Sequence, residues 1–122
     1  KKSKIIATIK SIIIDSIHYK SESKPSSLST LLTDRLNYDY SYLSRLFSSV
    51  EGITIEKFAL IQKIEKVKEL LFYDELTLSE IAYQLDYSSV SHLSAQFKKE
   101  TGMTPTTFKK DRSPKRKTLD SL

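Results

Sequence analysis

Leu93-Ser94-Ala95-Gln96-Phe97-Lys98-Lys99-Glu100-Thr101-Gly102-Met103-Thr104-Pro105-Thr106-Thr107-Phe108 repeats, fifty residues on, the plan of Leu43-Ser44-Arg45-Leu46-Phe47-Ser48-Ser49-Val50-Glu51-Gly52-Ile53-Thr54-Ile55-Glu56-Lys57-Phe58. Leu43 and Leu93 correspond, as do Phe47 and Phe97, Gly52 and Gly102, Thr54 and Thr104, Phe58 and Phe108. Leu and Ser are common in this chain, so their matches weigh little. The Phe–x4–Gly–x–Thr–x3–Phe series is much harder to reach by chance. Upstream, Leu28-Ser29 matches Leu78-Ser79 at the same offset, and Ser41 matches Ser91. Leu36 and Tyr38 match Leu85 and Tyr87 one residue short of it, so a residue is lost before a turn and regained after it. The matched apolar positions are those expected to be buried. One helical unit is therefore written twice.

Hydrophobic spacing around this repeat gives helices. Ile5, Ile6, Ile9, Ile12, Ile13 and Ile17 fall on one helical face. Isoleucine favours strands, but a 3.6 period held over more than ten residues favours a helix. Ser21 to Ser27, with Lys24-Pro25, reads as a loop. Ser27 can cap a helix through Leu28, Leu31, Leu32 and Leu36. Asp39 can cap the next, through Tyr42, Leu43, Leu46, Phe47 and Val50, and Gly52 suits its left-handed end. A long helix follows from about Thr54 to Tyr73. Thr77-Leu78-Ser79-Glu80 is a capping box opening a short helix to about Leu85. Asp86-Tyr87 turns the chain, and either Ser88 or Ser89 caps a helix through Leu93, Phe97 and Glu100. Thr104-Pro105 opens the last, anchored by Phe108.

The expected fold is all-α: seven helices forming a double helix-turn-helix of homeodomain-like tri-helical units, joined by a long linker helix. The expected divisions are 1–53, an N-terminal helix with the first unit; 54–74, the linker; 75–110, the second unit; and 111–122, a basic tail expected to be disordered. Units of this kind place their second helix in the DNA major groove. A linker of about 20 residues spans ~30 Å at 1.5 Å per residue. Readers entering successive grooves stand ~34 Å apart, so the lengths agree.

Composition narrows the function classes. The chain has 122 residues and a formal charge of +5, with 39% apolar and 10% aromatic residues, enough for a modest core and favouring polyanionic partners. It has no cysteine, which excludes disulfides, thiolate metal sites and a cysteine nucleophile. With only His18 and His92 as histidines, no metal site and no cofactor are expected. No Ser-His-Asp arrangement, phosphate-cradling glycine loop or paired carboxylates stand out, so no enzyme is expected. No apolar run is long enough for a bilayer, and no signal-peptide cleavage pattern follows the N-terminal isoleucines, so no membrane partner is expected. The first residue is Lys1 rather than Met, so a partner domain preceding this segment is expected.

Leu78-Ser79-Glu80-Ile81-Ala82-Tyr83-Gln84-Leu85-Asp86-Tyr87-Ser88, followed by His92-Leu93-Ser94 and by Phe97-Lys98-Lys99-Glu100-Thr101-Gly102-Met103-Thr104-Pro105, resembles the AraC/XylS family of bacterial transcription regulators. Tyr42-Leu43-Ser44-Arg45-Leu46-Phe47 resembles the family's first recognition helix, and Lys63 to Leu71 its linker. The resemblance covers roughly 28–110. It implies seven helices, sequence-specific binding of double-stranded promoter DNA, activation through RNA polymerase, a sensor or dimerisation domain on the N-terminal side, and a cytoplasmic location at the bacterial nucleoid. Two positions depart from the family. Asp86 stands where it usually has glycine in the second turn, and Ala95 where it often has arginine. These departures favour the alternative, a helical protein-interaction module that has lost DNA binding.

Candidate base readers are Tyr40, Ser41, Ser44 and Arg45 in the first unit, and Val90, Ser91, Ser94 and Ala95 in the second. Arg45 leads them, because its fork fits guanine O6 and N7; the other readings are a phosphate contact or an ion pair with Glu51. Tyr40 either touches DNA or packs at the helix start. Candidate phosphate contacts are Ser27, Ser48, Ser79, Ser88, Ser89, His92, Gln96, Lys98, Lys99, Lys109 and Lys110, several of them at helix N-termini. Gln96 either reaches adenine or points sideways. The run Lys115-Arg116-Lys117 either trails along DNA or is merely solvated.

Overall fold

The computed structural model describes residues 1–18 and 27–111. The expected loop at 21–26 and the basic tail from 112, including Lys115 to Lys117, lie outside the described residues. Six helices run α1 (Lys2–His18), α2 (Leu28–Leu36), α3 (Tyr40–Glu51), α4 (Ile55–Tyr73), α5 (Leu78–Gln84) and α6 (Val90–Thr101). A seventh, α7, occupies 105–111. The described residues are therefore all-α, with seven helices in a double helix-turn-helix. Asp111, expected to open the tail, still belongs to α7. α1 begins at Lys2, ahead of its first isoleucine, because the lysines there are good helix formers that need no burial.

The chain divides into two compact units, one ending at Gln62 and one beginning at Lys63, a boundary inside α4. The first unit buries Ile6, Ile9, Ile12 and Ile13 of α1, Leu32 of α2, Leu43, Leu46 and Phe47 of α3, and Ile55 of α4, all in one cluster. The second buries Ile64, Val67 and Leu71 of α4, Ile81, Ala82 and Leu85, Tyr87, and Leu93 and Phe97 of α6. Pro105 is fully buried at the first position of α7. Proline is tolerated there because that backbone N–H has no partner within the helix.

The sequence repeat recurs as a repeat of interactions. Phe47 meets Phe58 edge-on with centroids 5.6 Å apart, and Phe97 meets Phe108 at 5.4 Å. Gly52 ends α3 at φ 78 and donates to the Ser48 carbonyl at 2.9 Å; Gly102 ends α6 at φ 87 and donates to the Lys98 carbonyl at 2.8 Å. Thr54 Oγ1 accepts from the Lys57 amide at 3.0 Å, and Thr104 Oγ1 from the Thr107 amide at 3.2 Å. The two turns match as well. Asn37 (φ 58) precedes Tyr38, and Asp86 (φ 64) precedes Tyr87. Both positions need a left-handed backbone, which short polar side chains adopt at lower cost than others.

Caps fix where the helices begin. Ser27 Oγ accepts the Thr30 amide at 3.2 Å. Thr77 and Glu80 form the expected capping box, with bonds of 3.1 and 2.7 Å. Ser89, not Ser88, caps α6. Asp39 sits at the N-cap position of α3 but makes no side-chain cap bond, contrary to expectation. Its φ of −58 lies near the −76 at which Thr77 caps α5, so the backbone does not preclude the bond; the carboxylate is simply not turned onto a free amide.

The glycine ends give a direct test. A Cβ at Gly52 or Gly102 would meet nothing within 4 Å, so only backbone strain opposes it. Gly52→Ala and Gly102→Ala should each lower stability by about 1–2 kcal/mol in urea unfolding. Asparagine at either position should cost less than alanine.

Candidate nucleic-acid interface

α3 and α6 follow the turns at Asn37 and Asp86, so each holds the second-helix position of its turn. On α3, Leu43, Leu46 and Phe47 face the core. Ser41 and Arg45 are exposed, and Ser44 and Ser48 half-buried. Burying one face of an amphipathic helix fixes which residues the other face offers.

Two polar ties hold α3 at its ends. The Tyr40 hydroxyl donates to Glu56 of α4. Burial, then the bond and charge of Glu56, push this phenol well above the ordinary tyrosine range, so it stays a donor. Tyr40 also packs against the core cluster, so its hydroxyl is engaged within the unit. At the other end Lys10 of α1 pairs with Glu51 at 2.7 Å, with its Nζ 5.9 Å from the centroid of Phe58. Glu51 is thereby taken by Lys10 and not by Arg45. Six positions separate Arg45 from Glu51, which is about 240° around the helix. Among the described residues Arg45 makes no ion pair, and its exposed guanidinium keeps its donors.

α6 presents a poorer surface. Ser91 and Ala95 are exposed, and Val90 and Ser94 half-buried. Ser89 Oγ accepts the His92 amide at 3.0 Å. His92 turns toward the preceding turn: its Nδ1 lies 3.2 Å from Ser88 Oγ, and its ring meets Tyr87 at 85° with centroids 5.1 Å apart. Gln96 is half-buried, its Oε1 accepting from the Tyr87 hydroxyl at 2.6 Å. Burial pushes the Tyr87 phenol up to about 12. Lys63 Nζ lies 4.3 Å from the centroid of the Tyr87 ring. Burial pulls the Lys63 ammonium below its ordinary range, and the charge of Asp86 acts the other way.

The remaining candidates scatter. Ser27 and Ser79 lie exposed at the starts of α2 and α5, and Lys98 and Lys99 are exposed in the last turn of α6. Lys109 pairs with Asp74, while Lys110 is exposed. Among the described residues no group of three or more His, Asp or Glu side chains could hold a metal, and no helix is long and apolar enough to cross a membrane. Sequence reasoning missed Lys10, Glu56, Lys63 and the hydroxyl of Tyr87. The repeat marked Tyr87 as a buried position, but nothing in the spacing signalled a polar partner. Of the two departures from the family pattern, Asp86 leaves the turn intact.

Four similarities bear on this arrangement. A family model described as "Helix-turn-helix domain" matches residues 32–111. An HTH-type transcriptional regulator of Staphylococcus aureus (strain MSSA476) is 31% identical over 81 residues, 66% of this chain and 11% of that protein. The chain thus spans about a tenth of the length of that relative. Among solved structures, the C-terminal domain of AraT, a response regulator from Geobacillus stearothermophilus, is 26% identical at a TM-score of 0.76, covering 91% of this chain and 88% of that one. The DNA-binding domain of AdpA, a global transcriptional factor solved in complex with a target DNA, shares the fold at 18% identity and a TM-score of 0.75, covering 91% and 95%.

Ser89 is both the cap of α6 and a candidate phosphate contact, and two substitutions separate these roles. Ser89→Ala should cost about 1 kcal/mol in chemical unfolding through loss of the cap. Ser89→Asp should keep the stability, because aspartate caps as well as serine, and should weaken binding to any duplex by adding a charge facing phosphate.

Proposed function

The chain belongs to the helix-turn-helix domain family matched by residues 32–111, of the AraC/XylS type, and we propose that it reads successive major grooves of promoter DNA with α3 and α6. As a member of that family it is a DNA-binding domain of a transcription regulator. The observation that carries the finer reading is the repeat of the scaffold: each unit has a left-handed turn, a following helix buried on one face, and a Phe–Phe pair behind it. Such units dock their second helix in the major groove.

Within this reading Arg45 is the main base reader. Its guanidinium is exposed and unpaired among the described residues, and its fork matches guanine O6 and N7. Ser41 and Ser44 flank it, and Ser91, Ser94, Ala95 and Val90 form the uncharged surface of α6, with Ala95 and Val90 suited to thymine methyls and the serines to water-mediated contacts. Tyr40 positions α3 through Glu56 and does not read a base. Ser27, Ser48, Ser79, Ser88, Ser89, Lys98, Lys99 and Lys110 are the proposed phosphate contacts; His92 and Lys109 are occupied by Ser88 and Asp74 and contribute less. The divisions 1–53, 54–74 and 75–110 describe the two readers and their connection. The remaining roles in the proposal are a cytoplasmic site of action at the nucleoid, activation through RNA polymerase, and a sensor or dimerisation domain elsewhere in the protein.

Selection of bound sequences from a random duplex pool tests the two-reader arrangement. Two short boxes one helical turn apart, ~10 bp centre to centre, are expected. A single box would overturn it. In polarisation assays, Arg45→Ala should weaken binding by ~1–3 kcal/mol and relax preference at one base pair. Unchanged affinity and preference would remove Arg45 from the role.

A further inference from the structure

We propose that Tyr87 sets the base preference of α6 by holding Gln96 as a hydrogen-bond donor toward DNA. This rests on reading α6 as a DNA-facing helix. The repeat supplies the starting observation. Gln96 stands fifty residues after Leu46, which the first unit buries at 8% exposure. The second unit therefore places an amide where the first places an apolar side chain. An amide at a half-buried position needs its inner end satisfied. The Tyr87 hydroxyl does this, donating to Gln96 Oε1 at 2.6 Å.

The donor is itself immobilised. Tyr87 is 6% exposed. Its ring meets His92 edge-on at 5.1 Å and carries Lys63 Nζ 4.3 Å from its centroid. Its backbone amide donates to the Ala82 carbonyl at 2.9 Å. The counterpart Tyr38 is 45% exposed, and among the described residues its ring contact is with Tyr42. Burial keeps the Tyr87 phenol protonated, so it acts as donor and the amide oxygen as acceptor.

This orientation has a consequence for readout. A free glutamine pairs with adenine through both ends, accepting from N6 and donating to N7. With Oε1 turned inward to Tyr87, the amino group is the outer end of Gln96 and offers donors alone. Guanine presents two acceptors at the major-groove edge, O6 and N7, whereas adenine presents one acceptor and one donor. The pinned glutamine therefore favours guanine over adenine. Tyr87 acts here as a positioning residue, since it works through Gln96.

The test measures binding of the intact chain to a duplex taken from the random-pool selection and to its single base-pair variants. Wild type should favour guanine over adenine at one base pair in the α6 box by about five- to tenfold. Gln96→Ala should abolish that preference. Tyr87→Phe keeps the ring contacts and frees the amide, so preference at the same base pair should swing to adenine by about fivefold or more. Gln96→Glu leaves Tyr87 intact, keeps an inner acceptor and turns the outer end into an acceptor, so preference there should move to cytosine. If Tyr87→Phe fails to fold, which thermal unfolding would reveal, the wild-type preference decides the matter: guanine favoured and lost in Gln96→Ala supports the pinned amide, and adenine favoured overturns it. A base preference unchanged in Tyr87→Phe and Gln96→Glu overturns the proposal. So does a Gln96→Ala that weakens all sequences equally, the pattern of a phosphate contact. Ala95→Glu separates the two levels: if it leaves affinity unchanged, α6 does not face DNA and the underlying reading fails; if it abolishes binding while Tyr87→Phe changes nothing, only the role of Tyr87 falls.

Discussion

The edge-to-face contact between Phe47 and Phe58, repeated as Phe97 and Phe108, is the interaction on which each unit depends. Phe47 and Phe97 are fully buried and belong to α3 and α6. Their partners belong to the helices that follow, α4 and α7. Fully burying such a side chain contributes about 1.5–3 kcal/mol, and the paired rings add about 0.5–1.5 kcal/mol. In a small unit these are large shares of the net stability. The rings meet only if the chain reverses within the few residues between them, which the left-handed Gly52 and Gly102 allow. Ring pair and glycine are thus one constraint, and it fixes which face of α3 and α6 turns outward.

That constraint explains why so much of the fold was legible in the sequence. Buried rings and left-handed ends each demand particular residue types at fixed spacing, and both were written twice. The capping box at Thr77 and Glu80 was legible for the same reason, since cap and partner lie three residues apart. The turn at Asp86 was legible through its match to Asn37 and through the tolerance of aspartate for positive φ. What failed locally was Asp39, whose residue type suits a cap but whose carboxylate makes no bond to a free amide.

The polar ties of the interface were not legible. Lys10 and Glu51 are forty-one residues apart, and Tyr40 and Glu56 sixteen. Neither spacing carries a period, because these partners meet only through the packing of different helices. Lys63 and Tyr87 likewise come together from α4 and from the turn before α6. Periodicity tells which face of a helix is buried. It says nothing of where the tip of a long polar side chain ends, and the choice among base contact, phosphate contact and internal bond depends on that tip. Hence the outward orientation of Arg45 followed from its neighbours on α3, while the engagement of Tyr40 and Gln96 did not.

The two units therefore share a scaffold and differ in how their polar groups are used. In the first, the ties lie at the ends of α3, at Tyr40 and Glu51, and leave the exposed Arg45 without an internal partner among the described residues. In the second, the ties run through the middle of the turn and helix, where Tyr87 engages both His92 and Gln96. A free arginine retains five donors and the flexibility to seek a base, at a cost in ordering when it binds. A side chain already held within the unit has lost most of that freedom on folding, so less ordering remains for binding. On the proposed reading, sequence preference in the first unit comes from the strength of one charged contact. On the same reading, preference in the second comes from the restriction of a weaker one, and the turn that shapes α6 would also limit what α6 reads.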